Sequence, residues 1–403
     1  MPAPAEPADT PARAPLRIVM AAARYLPFTG GIETHINEVG PRMVERGHSV
    51  TVLTADPTGR LPPEERVRGM AVVRVPASGR AGDACLAPDF YRRLAAGRGG
   101  APADRPWDVV HVQGYHTLSA PFAMLGALRA RVPFVLTFHS GGHSSRLRTA
   151  LRGLHQRALG PLAGRAARLV GVSQFEADHF SRIMGIPRLR FTVVPNGAAL
   201  PAPDADASRE GDGPLVVSLG RLERYKGHHR AIQAFARLLP QHPGASLRIV
   251  GEGPYEARLR DLIARLGLNE RVAIGAIPPG ERSGMASLLA RADLVVLLSD
   301  YEAHPVAVME ALSLGRPMVT SDTSGFRELA AQGLVRAVPL DASPDRTAAV
   351  MAEAIRAGAV EAPVALPSWD ACTDRLLALY RAALDAPRTA PVPGAVPPVG
   401  DFA

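Results

Sequence analysis

The sequence predicts an α/β protein with two doubly wound parallel sheets that face each other across a cleft. Thirteen short apolar runs, many of them rich in β-branched residues, alternate with segments long enough to form helices. This alternation is typical of parallel strands covered by helices on both faces. A linker rich in Pro, Asp and Gly at 199–214 separates the first seven runs from the last six. Since ligands bind at the carboxyl ends of such strands, we expect a substrate site in the cleft.

The apolar runs define two expected domains, 15–198 and 215–367. The predicted strands of the first domain are Leu16–Ala22, Ser49–Thr54, Val72–Val75, Val109–Val112, Phe134–Phe138, Leu169–Val172 and Phe191–Val194. Those of the second domain are Leu215–Leu219, Ser246–Val250, Val272–Ile274, Leu294–Leu298, Pro317–Thr320 and Leu334–Val338. The terminal segments 1–14 and 386–403 are rich in Pro, Ala and Gly, and we expect both to be disordered.

Composition excludes several classes of protein. The chain of 403 residues is 47% hydrophobic and 21% charged, which supports large cores and excludes a wholly disordered protein. No stretch contains the roughly 18 apolar residues of a membrane span, and the amino terminus lacks the pattern of a signal peptide. The two cysteines, Cys85 and Cys372, have neither metal-ligand spacing nor a disulfide pattern. These features favour a cytoplasmic enzyme.

Positive charge is concentrated in the first half of the chain. Residues 1–195 contain 25 Arg and 14 Asp or Glu, a net charge of +11, whereas residues 196–403 have 21 Lys or Arg and 24 Asp or Glu, a net charge of −3. A basic half suits nucleic acid, an anionic membrane surface or an acidic substrate. We expect no nucleic-acid partner, because aromatic residues make up 5% and no nucleic-acid-binding motif is present. Of 46 basic residues 45 are Arg, so the one lysine, Lys226, is a functional candidate.

Two glycines, Gly30 and Gly31, precede a run with apolar residues at helical spacing, which predicts a helix over Gly31–Arg46. Backbone N–H groups at such a helix start bind anions, and the helix dipole favours negative charge there. An ordinary glycine-rich turn is the alternative interpretation. The dinucleotide motif G-x-G-x-x-G is absent here, and the Gly251-Glu-Gly253 segment has Glu256 at its third glycine position. A nicotinamide or flavin enzyme is therefore disfavoured.

Arg221 and Lys226 directly follow the predicted strand Leu215–Leu219, at the carboxyl edge of the second sheet. Fixed cations at that edge suit a diphosphate, and they would stabilise the charge that develops on a departing phosphate. The alternative is a solvated basic turn.

Two glutamates lie eight residues apart across a strand-to-helix junction. Glu302 follows the strand Leu294–Leu298, and Glu310 lies within a predicted helix, Pro305–Leu314, that is otherwise apolar. A carboxylate on an apolar helix face requires hydrogen-bond donors, and the vicinal hydroxyls of a ribose supply two. Alternatively, Glu310 points to solvent or caps a neighbouring backbone group.

His139 lies at the carboxyl end of the strand Phe134–Phe138, in the segment TFHSGG. A lone histidine is more often structural than catalytic, so this signal is weak by itself. Asn196 and Gly197 close the first domain, and we expect them to shape the hinge.

Taken in order, the segments FTGGIETH, TFHSGG, VPNG, GRLERYKG, VGEGP and YEAHPVAVMEALSLGRPMV resemble the retaining GT-B glycosyltransferases of family 4. The resemblance runs from residue 15 to about 340, and a helix over 368–385 looks like that family's crossover helix, which returns to the first domain. It implies transfer of a sugar from a nucleotide-sugar donor, with no cofactor. The catalytic residues it implies are His139, Arg221, Lys226 and Glu302. The donor-binding residues it implies are Gly30, Gly31, Arg221, Lys226, Glu302, Ala303, His304, Val306 and Glu310.

By this resemblance Gly31 binds the donor diphosphate together with Arg221 and Lys226. Glu310 accepts the ribose hydroxyls, Glu302 holds sugar hydroxyls, and His139 lies beside the transferred sugar. No carboxylate occurs in TFHSGG, so the resemblance implies a same-face displacement assisted by the leaving phosphate.

The chain departs from the family pattern after the first glutamate. His304 and Pro305 stand where many members have an aromatic residue and a glycine, and Pro305 has no N–H to donate. The donor therefore stays open, with a UDP-sugar favoured and a GDP-sugar as the alternative. Asp204-Ala-Asp206 resembles a metal-binding D-x-D motif, but it lies in the linker, and we expect no metal.

The acceptor is the least determined part. We expect contacts from Tyr115, His116, Gly142 and His143, and the acceptor could be a natural-product aglycone, a small sugar or cyclitol, or a lipid-linked glycan. The basic segment Arg146–Arg168 has leucines at helical spacing and could contact an anionic membrane surface, or could pack on the core with a solvated basic face.

Two other functions stay open at this stage. One is a nucleotide-sugar epimerase, which would turn over without an acceptor. The other is a non-catalytic nucleotide-sugar sensor or scaffold, which would bind a nucleotide sugar and turn over nothing.

Overall fold

The computed structural model describes residues 14–28, 30–78, 85–96, 106–140, 146–204, 212–278, 281–358 and 366–385. Over these ranges the chain forms two sheets whose strands are almost all parallel. Buried clusters on both faces of each sheet show that helices cover both faces. The predicted fold class is confirmed. The domain and linker limits stay predictions, and each described strand lies inside its expected domain.

The first sheet consists of eight strands within the described residues. They are β1 (Arg17–Ala22), β2 (Ser49–Asp56), β3 (Glu64–Val67), β4 (Met70–Pro76), β5 (Val109–Gln113), β6 (Phe134–Thr137), β7 (Arg168–Gly171) and β8 (Phe191–Val193). Their order is β3-β4-β2-β1-β5-β6-β7-β8. The helices of this domain are α1 (Gly31–Glu45), α2 (Asp89–Ala95), α3 (Ala120–Ala130), α4 (Arg146–Ala163) and α5 (Gln174–Met184).

The second sheet consists of six described strands, all paired in parallel. They are β9 (Leu215–Leu219), β10 (Ser246–Val250), β11 (Val272–Gly275), β12 (Leu294–Leu297), β13 (Met318–Ser321) and β14 (Arg336–Val338), in the order β11-β10-β9-β12-β13-β14. The helices that follow in the chain are α6 (His228–Leu238), α7 (Glu256–Arg265), α8 (Arg282–Arg291), α9 (Val306–Ser313), α10 (Phe326–Ala331), α11 (Pro344–Ala357) and α12 (Trp369–Asp385).

All thirteen predicted strands are present, and each contributes at least one apolar residue to the buried clusters. On β1, Val19 and Ala21 belong to one core cluster, whereas Ile18 and Met20 face the opposite one. The strand β3 was not predicted. Its sequence, EERV, is polar and partly exposed, and it pairs antiparallel with β4 at the edge of the sheet, where one face can meet water.

The helix α12 returns to the first domain, as predicted. Its residues Trp369, Leu376 and Tyr380 are buried in the same cluster as Ile18 and Ile36. Burying each large side chain stabilises this contact by about 2 kcal/mol. The second sheet is thereby connected to the first by a helix as well as by the linker.

Two chain segments run side by side where the domains meet. The Ala198 amide donates to the Pro367 carbonyl at 2.8 Å. A Cβ on Gly197 would lie 2.3 Å from the backbone nitrogen of Trp369, so only glycine permits this approach. This supports the prediction that Asn196 and Gly197 shape the hinge.

Candidate active site

Loops at the carboxyl ends of both sheets meet in the cleft. The Ser140 hydroxyl, after β6, lies 2.7 Å from the Tyr301 hydroxyl of the second domain. The Asn196 side-chain amide donates to the His304 carbonyl at 3.1 Å. The Glu328 carboxylate, on α10, accepts from the backbone amide of Phe175 at the start of α5. These contacts bring the loops that hold His139 and Asn196 against the loop that holds Glu302 and His304.

The amino end of α1 faces this cleft at Gly30 and Gly31. Gly30 precedes the helix in an extended conformation, and a Cβ there would lie 2.6 Å from Glu33 Oε2. A Cβ on Gly31 would have no atom within 4 Å, so there is space around the first helical turn. Arg24 pairs with the buried carboxylate of Glu33 at 3.1 Å. The first backbone N–H groups of a helix have no partner within the helix, and the expected anion site stays a prediction.

The lone lysine is ion-paired in the second domain. Lys226 Nζ lies 2.5 Å from Glu302 Oε1, and the Ser299 hydroxyl donates to the same carboxylate oxygen at 2.9 Å. Burial lowers the pKa of Lys226, but Glu302 and Tyr225 together raise it by more, so the pKa is raised overall and the ammonium stays charged. A Cβ on Gly227 (φ +74°) would lie 1.9 Å from the Leu298 carbonyl oxygen. Glycine at this position therefore allows the close approach that places Lys226 beside Glu302.

Arg221 lies beside this ion pair and is exposed to the cleft. Its guanidinium donates to the Tyr225 hydroxyl at 2.9 Å. Burial lowers the pKa of Arg221, whereas the Tyr225 hydroxyl, Glu223 and, from the first domain, Glu33 raise it by more. The positive charge of Arg221 therefore interacts with groups on both sides of the cleft.

Glu310 is buried on α9, and its partner is a residue that sequence reasoning missed. The Arg282 guanidinium, on α8, lies 2.7 Å from Glu310 Oε1 and also donates to the Ala199 carbonyl at 3.2 Å. Burial raises the pKa of Glu310, and Arg282 opposes that rise. Both alternatives, a solvent-facing side chain and a backbone cap, are wrong. The expected ribose contact stays a prediction. The other carboxylate oxygen of Glu310, Oε2, would make that contact.

The loop between Glu302 and α9 is fixed by its backbone. The Glu302 amide donates to the Ser324 hydroxyl at 2.8 Å, and a Cβ on Gly325 would lie 1.8 Å from the Ala303 carbonyl. The side chains of Ala303 and Val306 are buried. Their contribution to a ligand would come from backbone atoms such as the Val306 N–H, which lies in the first turn of α9. Pro305 lies just outside that helix in an extended conformation.

His139 is held in a strained backbone conformation. Its φ is +46°, in the left-handed region that residues with a Cβ rarely adopt. Its Nε2 lies 2.7 Å from Gln113 Oε1, and its ring packs edge-on against His35 at 4.7 Å between centroids. Burial lowers the pKa of His139 well below its usual value, so the ring is neutral. A neutral, oriented imidazole suits a hydrogen bond to a substrate better than a charge–charge contact.

Several residues that support the site were not predicted. His35 Nδ1 lies 2.9 Å from Asn196 Oδ1, so a single amide connects α1, the hinge and the His304 loop. The buried Glu176, on α5, accepts from both the backbone amide and the hydroxyl of Ser140 at 2.6 Å. His35 could have been found, because it falls inside the segment FTGGIETH on the inward face of α1. Glu176 has no comparable sequence signal.

The acceptor prediction is wrong for Tyr115. Its ring is buried between Phe138 and Phe180, and its hydroxyl accepts a hydrogen bond from Gln156 at 2.8 Å. His116 lies beside Gly114 near the cleft and keeps its expected role as a prediction. Gly142 and His143 lie outside the described residues.

The basic segment Arg146–Arg168 contains α4 and has a mixed character. Leu154 is 68% exposed, and Arg157 and Arg165 are also exposed, whereas Leu159 is buried. One face therefore packs on the domain and another presents leucine and arginine to solvent. Among the described helices, none combines the length and the apolar composition needed to cross a bilayer.

Buried neutral histidines should make the fold sensitive to acid. Burial lowers the pKa of His35 and of His228 from 6.5 to about 4, and that of His111 well below 6.5. Below pH 6.5 the unfolded chain binds protons that the folded chain does not, so the free energy of unfolding falls on acidification. We expect a loss of about 1.4 kcal/mol per pH unit for each group. Urea unfolding at a series of pH values from neutral towards pH 4 measures the free energy of unfolding. His228→Gln should reduce its slope against pH by the contribution of one histidine.

Two Rossmann-like sheets that face a cleft, with cations and carboxylates at their facing edges, have the architecture of the GT-B class of glycosyltransferases. Residues 204–361 match the family model for glycosyl transferases group 1, and residues 30–197 match the glycosyl transferase 4-like domain. The chain belongs to this group 1 family of glycosyltransferases, of the family 4 type, which confirms the resemblance seen in the sequence.

Curated relatives and solved structures agree with this assignment. Glycogen synthase of Mycobacterium tuberculosis is 31% identical over 339 residues, which cover 79% of this chain and 81% of the relative. D-inositol 3-phosphate glycosyltransferase 1 of Catenulispora acidiphila is 29% identical over 398 residues, covering 90% and 93%. The structure of sucrose-phosphate synthase from Thermosynechococcus elongatus superposes with a TM-score of 0.71 at 19% identity, covering 91% of this chain and 98% of that chain. That structural likeness supports the fold.

Proposed function

We propose that this glycosyltransferase moves a sugar from a nucleotide-sugar donor to an acceptor hydroxyl with retention at the anomeric carbon, and that a UDP-sugar is favoured over a GDP-sugar as donor. The observation that carries the proposal is the Lys226–Glu302 ion pair. It lies beside Arg221 in a cleft whose other wall holds the amino end of α1. A diphosphate between these walls would meet two cations and backbone N–H groups.

Donor binding would change the partners of the ion pair. Without a ligand, Glu302 neutralises Lys226 at 2.5 Å. An arriving diphosphate brings its own negative charge to Lys226 and Arg221, and Glu302 then becomes available to accept hydroxyl groups of the transferred sugar. Because the cations are held by the fold before the reaction, they stabilise the charge that grows on the leaving phosphate without reorganising.

The chemistry would proceed without a protein nucleophile. Glu33 is engaged by Arg24 and Glu176 by Ser140, and Glu302, once the diphosphate has taken Lys226, would hold hydroxyl groups of the sugar. The bond between the anomeric carbon and the β-phosphate oxygen would break while the acceptor oxygen bonds to the same face. The acceptor proton would pass to the departing phosphate oxygen, leaving a nucleoside diphosphate and a glycoside. The neutral ring of His139 would hold the sugar by a hydrogen bond.

The acceptor classes stay those that the sequence leaves open. A cyclitol carrying an acidic group is supported by the basic first half and by the relative named for D-inositol 3-phosphate. A lipid-linked glycan is supported by the exposed Leu154 and by Arg157 of α4, which would lie on an anionic membrane surface and place the protein at the inner face of the membrane. A natural-product aglycone is the third class.

The proposed function is tested by incubating donors with acceptors and analysing the products. Mass spectrometry identifies the sugar and acceptor that combine, and the anomeric proton coupling in NMR reports retention or inversion. A change of the donor sugar without any acceptor would instead identify an epimerase. Inversion of configuration would overturn the proposed reaction course.

We expect transfer to survive metal removal. No group of three or more His, Cys, Asp or Glu side chains within the described ranges could hold a metal ion. Asp204 of the linker accepts from the Ser287 hydroxyl at 3.0 Å, whereas Asp206 lies outside the described residues. Rates measured with excess EDTA, and with added magnesium or manganese, should agree within about twofold. Loss of activity that metal restores would show that a cation replaces part of the role assigned to Lys226 and Arg221.

A further inference from the structure

A chain of buried polar side chains connects His139 to the crossover helix α12. His139 Nε2 lies 2.7 Å from Gln113 Oε1, and Gln113 Nε2 lies 3.1 Å from His111 Nδ1. The Tyr380 hydroxyl, on α12, lies 2.6 Å from that same His111 nitrogen. The other ring nitrogen of His111 lies 2.7 Å from the Thr137 hydroxyl, at the end of β6. His111, Gln113, Thr137 and Tyr380 are all buried.

The direction of each hydrogen bond follows from the partners. Within the described structure, His111 Nδ1 is the one acceptor that the Tyr380 hydroxyl reaches, so the tyrosine donates. Burial raises the pKa of Tyr380 well above its usual value, which keeps that proton in place. His111 then carries its own proton on Nε2 and donates it to Thr137.

The same logic extends to His139. Because His111 Nδ1 accepts, the NH₂ group of Gln113 must face it, and the carbonyl oxygen of Gln113 faces His139. His139 therefore donates from Nε2, and its Nδ1 is left as an acceptor. An acceptor nitrogen is what a donating sugar hydroxyl requires.

We propose that Tyr380 is a positioning residue for His139: through His111 and Gln113 it fixes which ring nitrogen of His139 carries the proton. The proposal rests on the proposed function in one respect, that His139 contacts the transferred sugar. Tyr380 itself contacts neither substrate. The crossover helix thereby contributes to the site as well as to the packing of the first domain.

Tyr380→Phe tests the proposal, since it removes the hydroxyl and keeps the buried ring. We expect kcat to fall about fivefold while KM for the donor stays within about twofold, because donor contacts are unchanged. In ¹⁵N NMR of the imidazole rings without substrate, His139 should change from one tautomer to a mixture. The His139 signals are identified by their loss in His139→Gln.

Thr373→Val is the matched control. It removes another buried hydroxyl from α12, whose partner among the described residues is the Trp369 carbonyl of the same helix at 2.7 Å. We expect wild-type kcat and a wild-type His139 spectrum for this variant. If Thr373→Val reproduces the effects of Tyr380→Phe, the cause is a general loosening of α12 and the proposal is wrong.

Gln113→Leu interrupts the chain without touching α12. It should reproduce the NMR change, and the double variant with Tyr380→Phe should be no slower than Gln113→Leu alone, because both act along one path. An unchanged His139 tautomer in Tyr380→Phe overturns the proposal. Failure of the proposed contact between His139 and the sugar is a separate result: His139→Gln would then transfer sugar at the wild-type rate, whatever the NMR spectrum shows.

Discussion

Replacing Lys226 by arginine should lower kcat/KM by about tenfold or more, equivalent to about 1.4 kcal/mol of transition-state stabilisation. Arginine keeps the charge, but its guanidinium is longer, planar and forked, whereas an ammonium is compact and fits against one phosphate oxygen. The space is limited, because Glu302 Oε1 lies 2.5 Å from Lys226 Nζ. An arginine at this position would displace the carboxylate as well as misplace the charge.

Lys226→Ala should be more severe, at about a hundredfold or more, because the leaving phosphate loses a fixed cation. It also leaves the buried Glu302 carboxylate without its ion-pair partner, which weakens donor binding by repulsion. The two variants should therefore change different kinetic constants. Arginine chiefly lowers kcat, whereas alanine lowers kcat and raises KM. Steady-state kinetics with the donor varied separates these effects.

Arg224 offers a matched control for the lysine substitutions. It occupies the same short 3-10 turn, Arg224–Lys226, and is exposed. Because 45 of 46 basic residues in the chain are already Arg, a solvated turn should accept either basic residue. Arg224→Lys should keep wild-type kinetics, and so would Lys226→Arg if Lys226 were only a solvated turn residue. The latter outcome would remove Lys226 from the site.

The single lysine also permits a chemical test. Apart from the α-amine, it is the one amine that pyridoxal phosphate and borohydride can modify. Modification should inactivate the enzyme, and donor nucleotide should protect it. Full activity after stoichiometric modification of Lys226 would contradict its assignment.

The fold could be predicted because most of its strands are recognisable from their own sequences. Strands buried on both faces are continuous apolar runs, as in β12, and the spacing of apolar residues marks helices such as α1. The strand β3 failed this test because an edge strand with polar residues does not differ in sequence from a loop. Sequence patterns thus reveal burial on a sheet better than they reveal its edges.

The sequence predicts several residues of the site but not which of them pair with each other. Lys226 and Glu302 were both predicted from their position after parallel strands, but they are 76 residues apart, and their mutual ion pair required the fold. Arg282, the partner of Glu310, lies at the start of an ordinary helix with no distinguishing pattern. Pairing across a fold depends on geometry that local sequence does not encode.

Tyr115 illustrates how one backbone dihedral angle overturns a local inference. It follows β5 at the carboxyl edge, where a side chain is expected to face the cleft. Gly114 adopts φ +87°, in the left-handed region. After this turn the tyrosine ring lies in the core against Phe180, at 4.7 Å between ring centroids.

Glu310→Ala should weaken binding of the nucleoside diphosphate by about tenfold or more, since losing one partner of a buried charged hydrogen bond costs about 1.5–3 kcal/mol. Glu302→Ala should mainly lower turnover and keep the nucleotide bound, because its expected contact is with the sugar. Calorimetry with the nucleoside diphosphate measures both affinities. Unchanged affinity in Glu310→Ala would exclude the ribose contact.

The ion pair with Arg282 gives Glu310 a second, structural role, which the experiment must separate from the first. A 2′-deoxynucleoside diphosphate separates them, because it lacks one hydroxyl that Glu310 is expected to accept. If Glu310 binds the ribose, Glu310→Ala weakens binding of the ribonucleotide far more than that of the deoxynucleotide, and the two losses are not additive. If the carboxylate only holds Arg282 at 2.7 Å, the substitution weakens both nucleotides by the same factor, and Arg282→Met weakens them equally.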